Sequence, residues 1–252
     1  MQLQQDHVGT PIQPVGVPIK LDAVSYVCET TQVFDGLTLQ LDQRRVGIVG
    51  RNGSGKSQLA RLIAGLAAPD AGQVHVNGVD VATDRKAAIA TVGILFQNPD
   101  HQIIFPTVGE ELTFGLTAKG VSKRDAAEQA RQMLARFGRT PWFDRSVHGL
   151  SQGQRHLVCL MAVLMMAPRV IVLDEPFAGL DLATTLRLGR YLESLDQSLI
   201  HISHDLASLA GYDRVIWLER GRIIDDGNPD QVLPAYEAQM RAWGESDDLT
   251  DL

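Results

Sequence analysis

Apolar residues along this chain recur with two different periods, and the succession of the two periods predicts an α/β protein. Runs that are apolar throughout or at every second position predict strands at residues 19–26, 37–41, 44–49, 73–77, 92–96, 170–173, 198–203, 215–219 and 222–226. Helical spacing of apolar residues predicts helices at 58–65, 108–137, 155–166, 181–195 and 229–241. The apolar run 170–173 is typical of a strand buried in a parallel sheet, and the early strands predict an antiparallel layer beside that core.

Turn-forming and charged residues mark the divisions between these elements. Asp35 and Gly36 predict a turn between the first two strands, and Arg220 and Gly221 predict a hairpin near the C-terminus. We expect a flexible N-terminal tail (1–18), one domain (19–240) with a core (19–97 and 155–240) and an inserted helical subdomain (about 98–154), and an acidic tail (241–252).

The segment GRNGSGKS, residues 50–57, matches the phosphate-loop pattern G-x-x-x-x-G-K-[ST] between a predicted strand and a predicted helix. Its glycines let the backbone curl so that amides and the helix N-terminus face a triphosphate. We expect Lys56 to reach the β- and γ-phosphates and Ser57 to ligate Mg²⁺. A glycine-rich turn of no function is the alternative, which the flanking elements disfavour. The expected nucleotide-binding residues are Gly50, Arg51, Asn52, Gly53, Ser54, Gly55, Lys56, Ser57 and Gln58.

Two acidic residues follow the buried strand 170–173 directly. Asp174 is placed to hold the Mg²⁺ shell, and Glu175 to polarise a water against the γ-phosphate. Adjacent acids after a strand can also cap a helix, but the upstream phosphate loop favours the nucleotide interpretation.

Composition and charge narrow the function further. The net charge of −7 gives no general basic surface for nucleic acid, so we expect no nucleic-acid partner. Cys28 and Cys159 lie far apart in sequence, which favours reduced structural thiols. No apolar run approaches the ~18 residues of a membrane span, and the N-terminus has no apolar signal core. We therefore expect the protein to stay in the cytosol, with docking on a membrane partner left open.

The order and spacing of several motifs over about residues 19–233 resemble those of ABC-type ATPase subunits. The pentapeptide LSQGQ before a helix is the most specific of them, because other phosphate-loop classes lack it. The resemblance implies a RecA-like P-loop core with an antiparallel β layer and an inserted α-helical subdomain. The matching positions are the loop 50–57, Gln97, Leu150 with Ser151, Gln152, Gly153 and Gln154, then Asp174, Glu175, Asp181 and His204.

The resemblance also implies a role for each motif in a dimer that holds two ATP molecules. Ser151 and Gly153, with Gln152 and Gln154 beside them, would bind the γ-phosphate held by the other subunit. A capped helix N-terminus suits an anion, which supports that role. Of the remaining positions, Glu175 would be the general base, His204 would contact the γ-phosphate, Gln97 would sense Mg²⁺ and the attacking water, and Asp181 would cross the dimer interface.

Three positions depart from the family pattern. Gln152 stands where glycine is commonest, and Gln58 stands where threonine usually offers a hydroxyl to the α-phosphate. Cys28 occupies the expected place of the aromatic residue that stacks on adenine, with Tyr26 two residues earlier. The residue that contacts the base is therefore left open, while no catalytic group is removed.

Residues 96–115, FQNPDHQIIFPTVGEELTFG, resemble the corresponding segment of energy-coupling-factor (ECF) importers of vitamins and metal ions. The segment 44–57 and the short C-terminus resemble the ATPase of biotin ECF systems in particular, while cobalt, nickel and other vitamins stay open. The resemblance implies a second ATPase subunit, identical or paralogous, an ECF transmembrane coupling protein and a substrate-binding integral membrane subunit. The alternatives are a soluble ABC ATPase acting on nucleic acid or ribosomes, a non-catalytic ATP-gated module and a small-molecule kinase.

Overall fold

The computed structural model describes residues 15–245, in which strands and helices alternate along the chain. The strands are β1 (Val15–Cys28), β2 (Thr31–Gln43), β3 (Arg45–Val49), β4 (Ala71–Val76), β5 (Val79–Asp80), β6 (Val92–Leu95), β7 (Val170–Asp174), β8 (Ser198–Ile202), β9 (Arg214–Glu219) and β10 (Arg222–Gly227). The α-helices are α1 (Lys56–Ile63), α2 (Arg85–Thr91), α3 (Val108–Ala118), α4 (Lys123–Arg136), α5 (Gln152–Met165), α6 (Leu182–Glu193) and α7 (Pro229–Glu245). Short 3₁₀ helices lie at Pro99–His101, Thr140–Trp142, Val147–Gly149 and Leu206–Leu209.

A six-stranded sheet with the order β10-β9-β3-β8-β7-β6 forms the centre of the molecule. Its strands pair in parallel except for the antiparallel hairpin of β9 and β10. Every residue of β7 and β8 is buried, which explains why these segments are apolar almost throughout. The carboxyl ends of β3, β8, β7 and β6 therefore lie side by side, and the loops that follow them meet at one edge.

The predicted antiparallel layer is a second sheet with the order β2-β1-β4-β5. The predicted turn at Asp35 and Gly36 is wrong, because β2 continues through both residues and the chain reverses at Glu29 and Thr30. The pairs Tyr26↔Phe34 and Val24↔Leu37 leave one extra residue in β2, which makes this point a β-bulge. Gly36 has a φ of +66°, so the bulge demands the same backbone conformation that made Asp-Gly resemble a turn.

The helices between β6 and β7 pack on one face of the central sheet and share a core with Ile171 and Leu173 of β7 and Leu199 of β8. Thr107, Ser122 and Ser151 cap α3, α4 and α5 through their side-chain oxygens. The helical stretch predicted at 108–137 is divided between Ala118 and Lys123 by a turn in which Gly120 has a φ of +89°. Within residues 15–245, no helix is both long and apolar enough to cross a bilayer.

The sequence missed one strand and one α-helix and misplaced several boundaries, including the start of β2, which lies at Thr31 rather than residue 37. The strand β5 and the helix α2 escaped prediction, because β5 has two residues and α2 has seven, too few to show a period. The first strand begins at Val15 rather than residue 19, and α7 continues to Glu245 rather than ending at Arg241. Most of the two predicted tails, residues 1–14 and 246–252, lies outside the described residues.

Candidate nucleotide site

A polar cavity of about 330 Å³ lies where the loops after β3, β6, β7 and β8 meet. The adjacency of these four strands brings together residues that are more than 150 positions apart in the chain. Ten of the eleven residues that line the cavity belong to the predicted sites or flank them, and these are Asn52, Gly53, Gly55, Lys56, Ser57, Gln58, Gln97, Asp174, Glu175 and His204. The eleventh is Val33.

The phosphate loop has the backbone that its glycines predict. Gly50, Gly53 and Gly55 have φ values of +156°, +77° and +105°. A Cβ on Gly50 would lie 2.0 Å from the carbonyl oxygen of Leu218. A Cβ on Gly55 would lie 3.1 Å from the ring of Phe34. The loop is therefore curled by its backbone conformation, and it is enclosed by β9 at Gly50 and by β2 at Gly55.

Lys56 is buried at the start of α1, and its ammonium group is held by the loop itself. Its Nζ donates hydrogen bonds to the carbonyl oxygens of Gly50 and Arg51, both at 2.7 Å. Burial lowers the pKa of Lys56, while the carboxylates of Asp174, Glu175 and Glu219 oppose that shift. An ammonium has three donors, so one remains for an oxygen of a bound ligand.

Ser57 and Asp174 form the acidic wall of the cavity. The Ser57 hydroxyl donates a 2.8 Å hydrogen bond to Oδ2 of Asp174. Burial raises the pKa of Asp174, and the hydrogen bond from Ser57 and the charge of Lys56 lower it. A hydroxyl and a carboxylate in contact are hard oxygen ligands of the kind that Mg²⁺ prefers.

Glu175 and His204 face each other across the ends of β7 and β8. Oε1 of Glu175 accepts a 2.8 Å hydrogen bond from the His204 amide and lies 3.8 Å from Nε2 of the ring. Glu175 has a φ of +53°, a backbone conformation that is uncommon for a non-glycine residue. Its amide donates to the Ile202 carbonyl at 3.0 Å, which holds the turn in place. The carboxylate is thereby aimed into the cavity.

The pentapeptide residues Ser151, Gln152, Gly153 and Gln154, with Asp181, do not line this cavity. Ser151 and Gln154 form a reciprocal capping box at the N-terminus of α5, and Ser151 is exposed. Gly153 is buried, and a Cβ at this position would lie 2.0 Å from the Gly179 carbonyl oxygen, so only glycine fits there. Asp181 caps α6 by accepting from the Thr184 amide at 2.8 Å. The capped end of α5 thus remains open to a ligand outside this chain's own cavity.

Two of the departures from the family pattern are neighbours in space. Nε2 of Gln58 lies 3.6 Å from Sγ of Cys28, and Oε1 of Gln58 is buried without a hydrogen-bond partner among the described residues. The missing hydroxyl and the missing aromatic ring therefore affect the same corner of the cavity. Cys28 and Cys159 are both free thiols, as expected.

Some residues lie elsewhere than the sequence suggested, and two useful ones were missed. Gly50, Arg51 and Ser54 do not line the cavity, and the Arg51 guanidinium pairs with Glu219 at 3.2 Å. Val33 was missed because a valine in a strand carries no signal of ligand contact. Ser203, whose hydroxyl lies 3.5 Å from Oε2 of Glu175, was missed although it stands next to His204.

The parallel sheet, the glycine loop and the acidic strand ends together define a P-loop nucleotide-binding protein. The family described as ABC transporter matches residues 34–178. The biotin transport ATP-binding protein BioM of Rhodobacter capsulatus is 53% identical over 224 residues, covering 89% of this chain and 96% of that protein. The energy-coupling factor transporter ATP-binding protein EcfA1 of Lactobacillus delbrueckii subsp. bulgaricus is 36% identical over 202 residues, covering 77% and 72%.

A solved structure of similar fold is cbiO1 from Clostridium perfringens, titled as part of the ABC transporter complex cbiONQ. It is 28% identical with a TM-score of 0.72, and the match covers 88% of this chain and 93% of that one. The chain therefore belongs to the ABC transporter family and is an ATP-hydrolysing subunit. The expected family and fold class are confirmed.

Proposed function

We propose that this chain is the ATPase subunit of an ECF-type importer and energises vitamin uptake, with biotin as the leading solute. The identity of 53% to a biotin transport ATPase over nearly its whole length supports that choice. The observation that carries the proposal is the separation of two half-sites, the cavity of Lys56 and Glu175 and the exposed capped helix end at Ser151. Two copies, or one copy and a paralogue, would complete two ATP sites between them.

ATP would close the dimer because its γ-phosphate joins the two half-sites. Ser151 and the N-terminus of α5 offer a hydroxyl and the positive end of a helix dipole to that anion. ADP lacks the γ-phosphate, so hydrolysis removes the contacts that favour the closed state, and the dimer opens.

Mg²⁺ would be held by Ser57 and Asp174, with Gln97 lining the same cavity. Among residues 15–245, no group of three or more His, Cys, Asp and Glu side chains could hold a metal by itself. The protein oxygens therefore fit an ion whose remaining ligands are phosphate oxygens and water. Such an ion neutralises charge on the β- and γ-phosphates when bound.

Glu175 would remove a proton from the water that attacks the γ-phosphorus, and the bond to the β–γ bridging oxygen would break. Burial raises the pKa of Glu175, and the charge of Asp174 adds to that effect, while the His204 amide opposes it. A raised pKa makes the carboxylate a stronger base. Burial and the charge of Lys56 lower the pKa of His204.

We predict that kcat for ATP hydrolysis by the assembled complex falls as the pH is lowered through the raised pKa of Glu175. The ionised form is the active base, so the acid limb lies above pH 4.5, the ordinary value for glutamate. A kcat profile that begins below pH 4.5 and continues to about pH 8 measures the limb. The residual rate of Glu175→Gln should show no such limb. A wild-type profile that is flat over this range would contradict the assignment.

A groove of about 500 Å³ on the helical region would bind the membrane partner. The rings of Phe105 and Phe114 lie 5.0 Å apart in it, and the Phe114 residue is 48% exposed. Lys123 and two acids, Glu110 and Asp144, also line the groove. An apolar floor with acidic groups suits an amphipathic helix with basic residues, which we assign to the transmembrane coupling protein.

The segment after Gln97 connects this groove to both half-sites. The carboxylate of buried Glu111 in α3 accepts hydrogen bonds from the amides of Ile104 and Phe105, both at 2.9 Å. Earlier in the segment, Asp100 forms a 3.0 Å ion pair with Arg155, one turn into α5. A movement of the residues that line the groove would therefore be transmitted to Gln97 and to the N-terminus of α5 together. This supports coupling between ATP hydrolysis and transport.

The function is tested by Phe114→Asp in cells that contain the membrane subunits. A charge on the groove floor should abolish uptake of labelled biotin and lower copurification of the membrane subunits by about 30-fold or more, the effect of losing an interface hot spot. ATP binding by the purified chain should stay unchanged. Ile89→Asp, at an exposed position on α2 outside the groove, is the matched control.

Three results would count against parts of this proposal. If Phe114→Asp still copurifies with the membrane subunits, the groove is not the docking surface. If the cells take up another vitamin or a metal ion normally and take up no biotin, the transported solute is not biotin. Recovery of ribosomes or DNA instead of a polytopic membrane protein would favour a soluble ABC ATPase. A membrane partner would place this chain peripherally on the cytoplasmic face of the inner membrane.

A further inference from the structure

The C-terminal helix α7 lies against the phosphate loop on the side away from the nucleotide cavity. The guanidinium of Arg51 lies 4.3 Å from the ring centroid of Trp243 in α7. Tyr236 lies seven residues earlier in the helix, on the same face. Burial raises the pKa of the Tyr236 hydroxyl, and a hydrogen bond from the Gly50 amide opposes that shift. Both residues at the start of the phosphate loop therefore face α7.

Arg51 is held on its other side by Glu219, the last residue of β9. Nε of Arg51 lies 3.2 Å from Oε1 of Glu219, whose side chain is only 10% exposed. An ion pair with one buried partner resists solvent screening better than a surface pair does. The guanidinium is thus fixed between a carboxylate from the central sheet and an indole ring from the C-terminal helix.

The backbone of the same two loop residues fixes the catalytic ammonium group. The carbonyls of Gly50 and Arg51 are the two acceptors of Lys56 Nζ. The Gly221 amide in the β9–β10 turn also donates to the Ser54 carbonyl at 3.0 Å. Movement of Arg51 therefore changes the position from which Lys56 reaches a phosphate.

We propose that Trp243 and Arg51 are positioning residues that set the affinity for ATP by holding the phosphate loop in its curled form. The proposal rests on the assignment of residues 50–57 to the nucleotide and adds a role for the C-terminal helix. A cavity of about 410 Å³, lined by Arg51, Trp217, Glu219 and Trp243 among others, lies beside the contact. Trp243 is 37% exposed, so it covers this space without belonging to the tightly packed core.

The test compares Trp243→Leu with Trp243→Tyr in the assembled complex. Leucine removes the aromatic face, so KM for ATP should rise about three- to tenfold, the factor expected for a partly buried cation–π contact. Tyrosine keeps a ring for Arg51 and should recover most of the wild-type KM. The kcat value should change less than twofold in Trp243→Leu and in Trp243→Tyr, because the side chain at position 243 does not touch the reacting atoms.

Two controls separate positioning from general damage to α7. Arg241→Ala removes an exposed residue of the same helix that pairs only with Glu237 in the described structure, and it should leave KM unchanged. Arg51→Ala should raise KM for ATP. Adding Trp243→Leu to Arg51→Ala should raise KM little further, because both substitutions break the same contact between Arg51 and Trp243. The thermal midpoints of Trp243→Leu and Trp243→Tyr should match that of the Arg241→Ala control, which excludes general damage to α7.

The proposal is overturned if Trp243→Leu leaves KM at the wild-type value, or if the two substitutions raise KM independently. It is also overturned if Trp243→Tyr is as defective as Trp243→Leu. Lys56→Ala separates these outcomes from failure of the site itself. Loss of ATP binding in that variant with normal KM in Trp243→Leu rejects only the role of α7, whereas retained binding in Lys56→Ala rejects the nucleotide site.

Discussion

Replacing Glu175 by glutamine will lower kcat for ATP hydrolysis in the assembled complex by about 10³-fold or more, while ATP binding persists. A general base contributes about 10² to 10⁴ to the rate, which is about 3 to 5 kcal/mol of activation free energy. The amide keeps the size of the side chain but cannot take a proton from water. ATP-bound dimers should therefore accumulate, because the event that opens them no longer occurs.

Phosphate release and size-exclusion chromatography with ATP measure the two halves of this prediction. Glu128→Gln, at an exposed position on α4, is the matched control and should hydrolyse ATP like the wild type. Hydrolysis by Glu175→Gln at the wild-type rate would show that another group accepts the proton. Ser203 and His204, which contact the same carboxylate, would then be examined first.

Replacing Lys56 by alanine will raise the Kd for ATP by at least about 100-fold, which abolishes binding at ordinary assay concentrations. The change removes a charge-assisted hydrogen bond to phosphate, worth about 1.5 to 3 kcal/mol, and long-range attraction adds to that loss. It also leaves the carbonyls of Gly50 and Arg51 without their donor, so the loop loses an internal support.

Fluorescence titration with an ATP analogue measures this loss. Lys86→Ala removes an exposed lysine from α2 and should bind ATP normally. If the Kd of Lys56→Ala for ATP lies within about threefold of the wild-type Kd, the loss in binding free energy is less than the ~1 kcal/mol of one ordinary hydrogen bond. That result would show that residues 50–57 do not bind the nucleotide.

Most residues that line the candidate site were predictable because they follow a strong local pattern. The loop 50–57 has a fixed spacing of glycines, and Asp174 and Glu175 end a strand that is apolar throughout. Strand ends in a parallel sheet meet at one edge, so these local patterns also implied a common site. The strand order β3-β8-β7-β6 adds Gln97 and His204 to it.

What the sequence did not reveal depends on contacts between distant segments. Arg51 and Glu219 are 168 residues apart, and nothing in either neighbourhood marks the other as a partner. Gly153 looked like a phosphate contact alone, whereas the structure also requires glycine there because the Gly179 carbonyl approaches it. Asp35 and Gly36 were misassigned because a turn and a β-bulge demand the same positive φ.

The central claim is that each ATP is bound between the phosphate loop of one chain and the capped helix end of another. The direct test is a structure of the Glu175→Gln variant with ATP bound. We predict a dimer in which the γ-phosphate of each nucleotide contacts Lys56 of one chain and Ser151 of the other. An ATP pocket completed within a single chain, with Ser151 out of reach of any neighbouring chain, would contradict the claim.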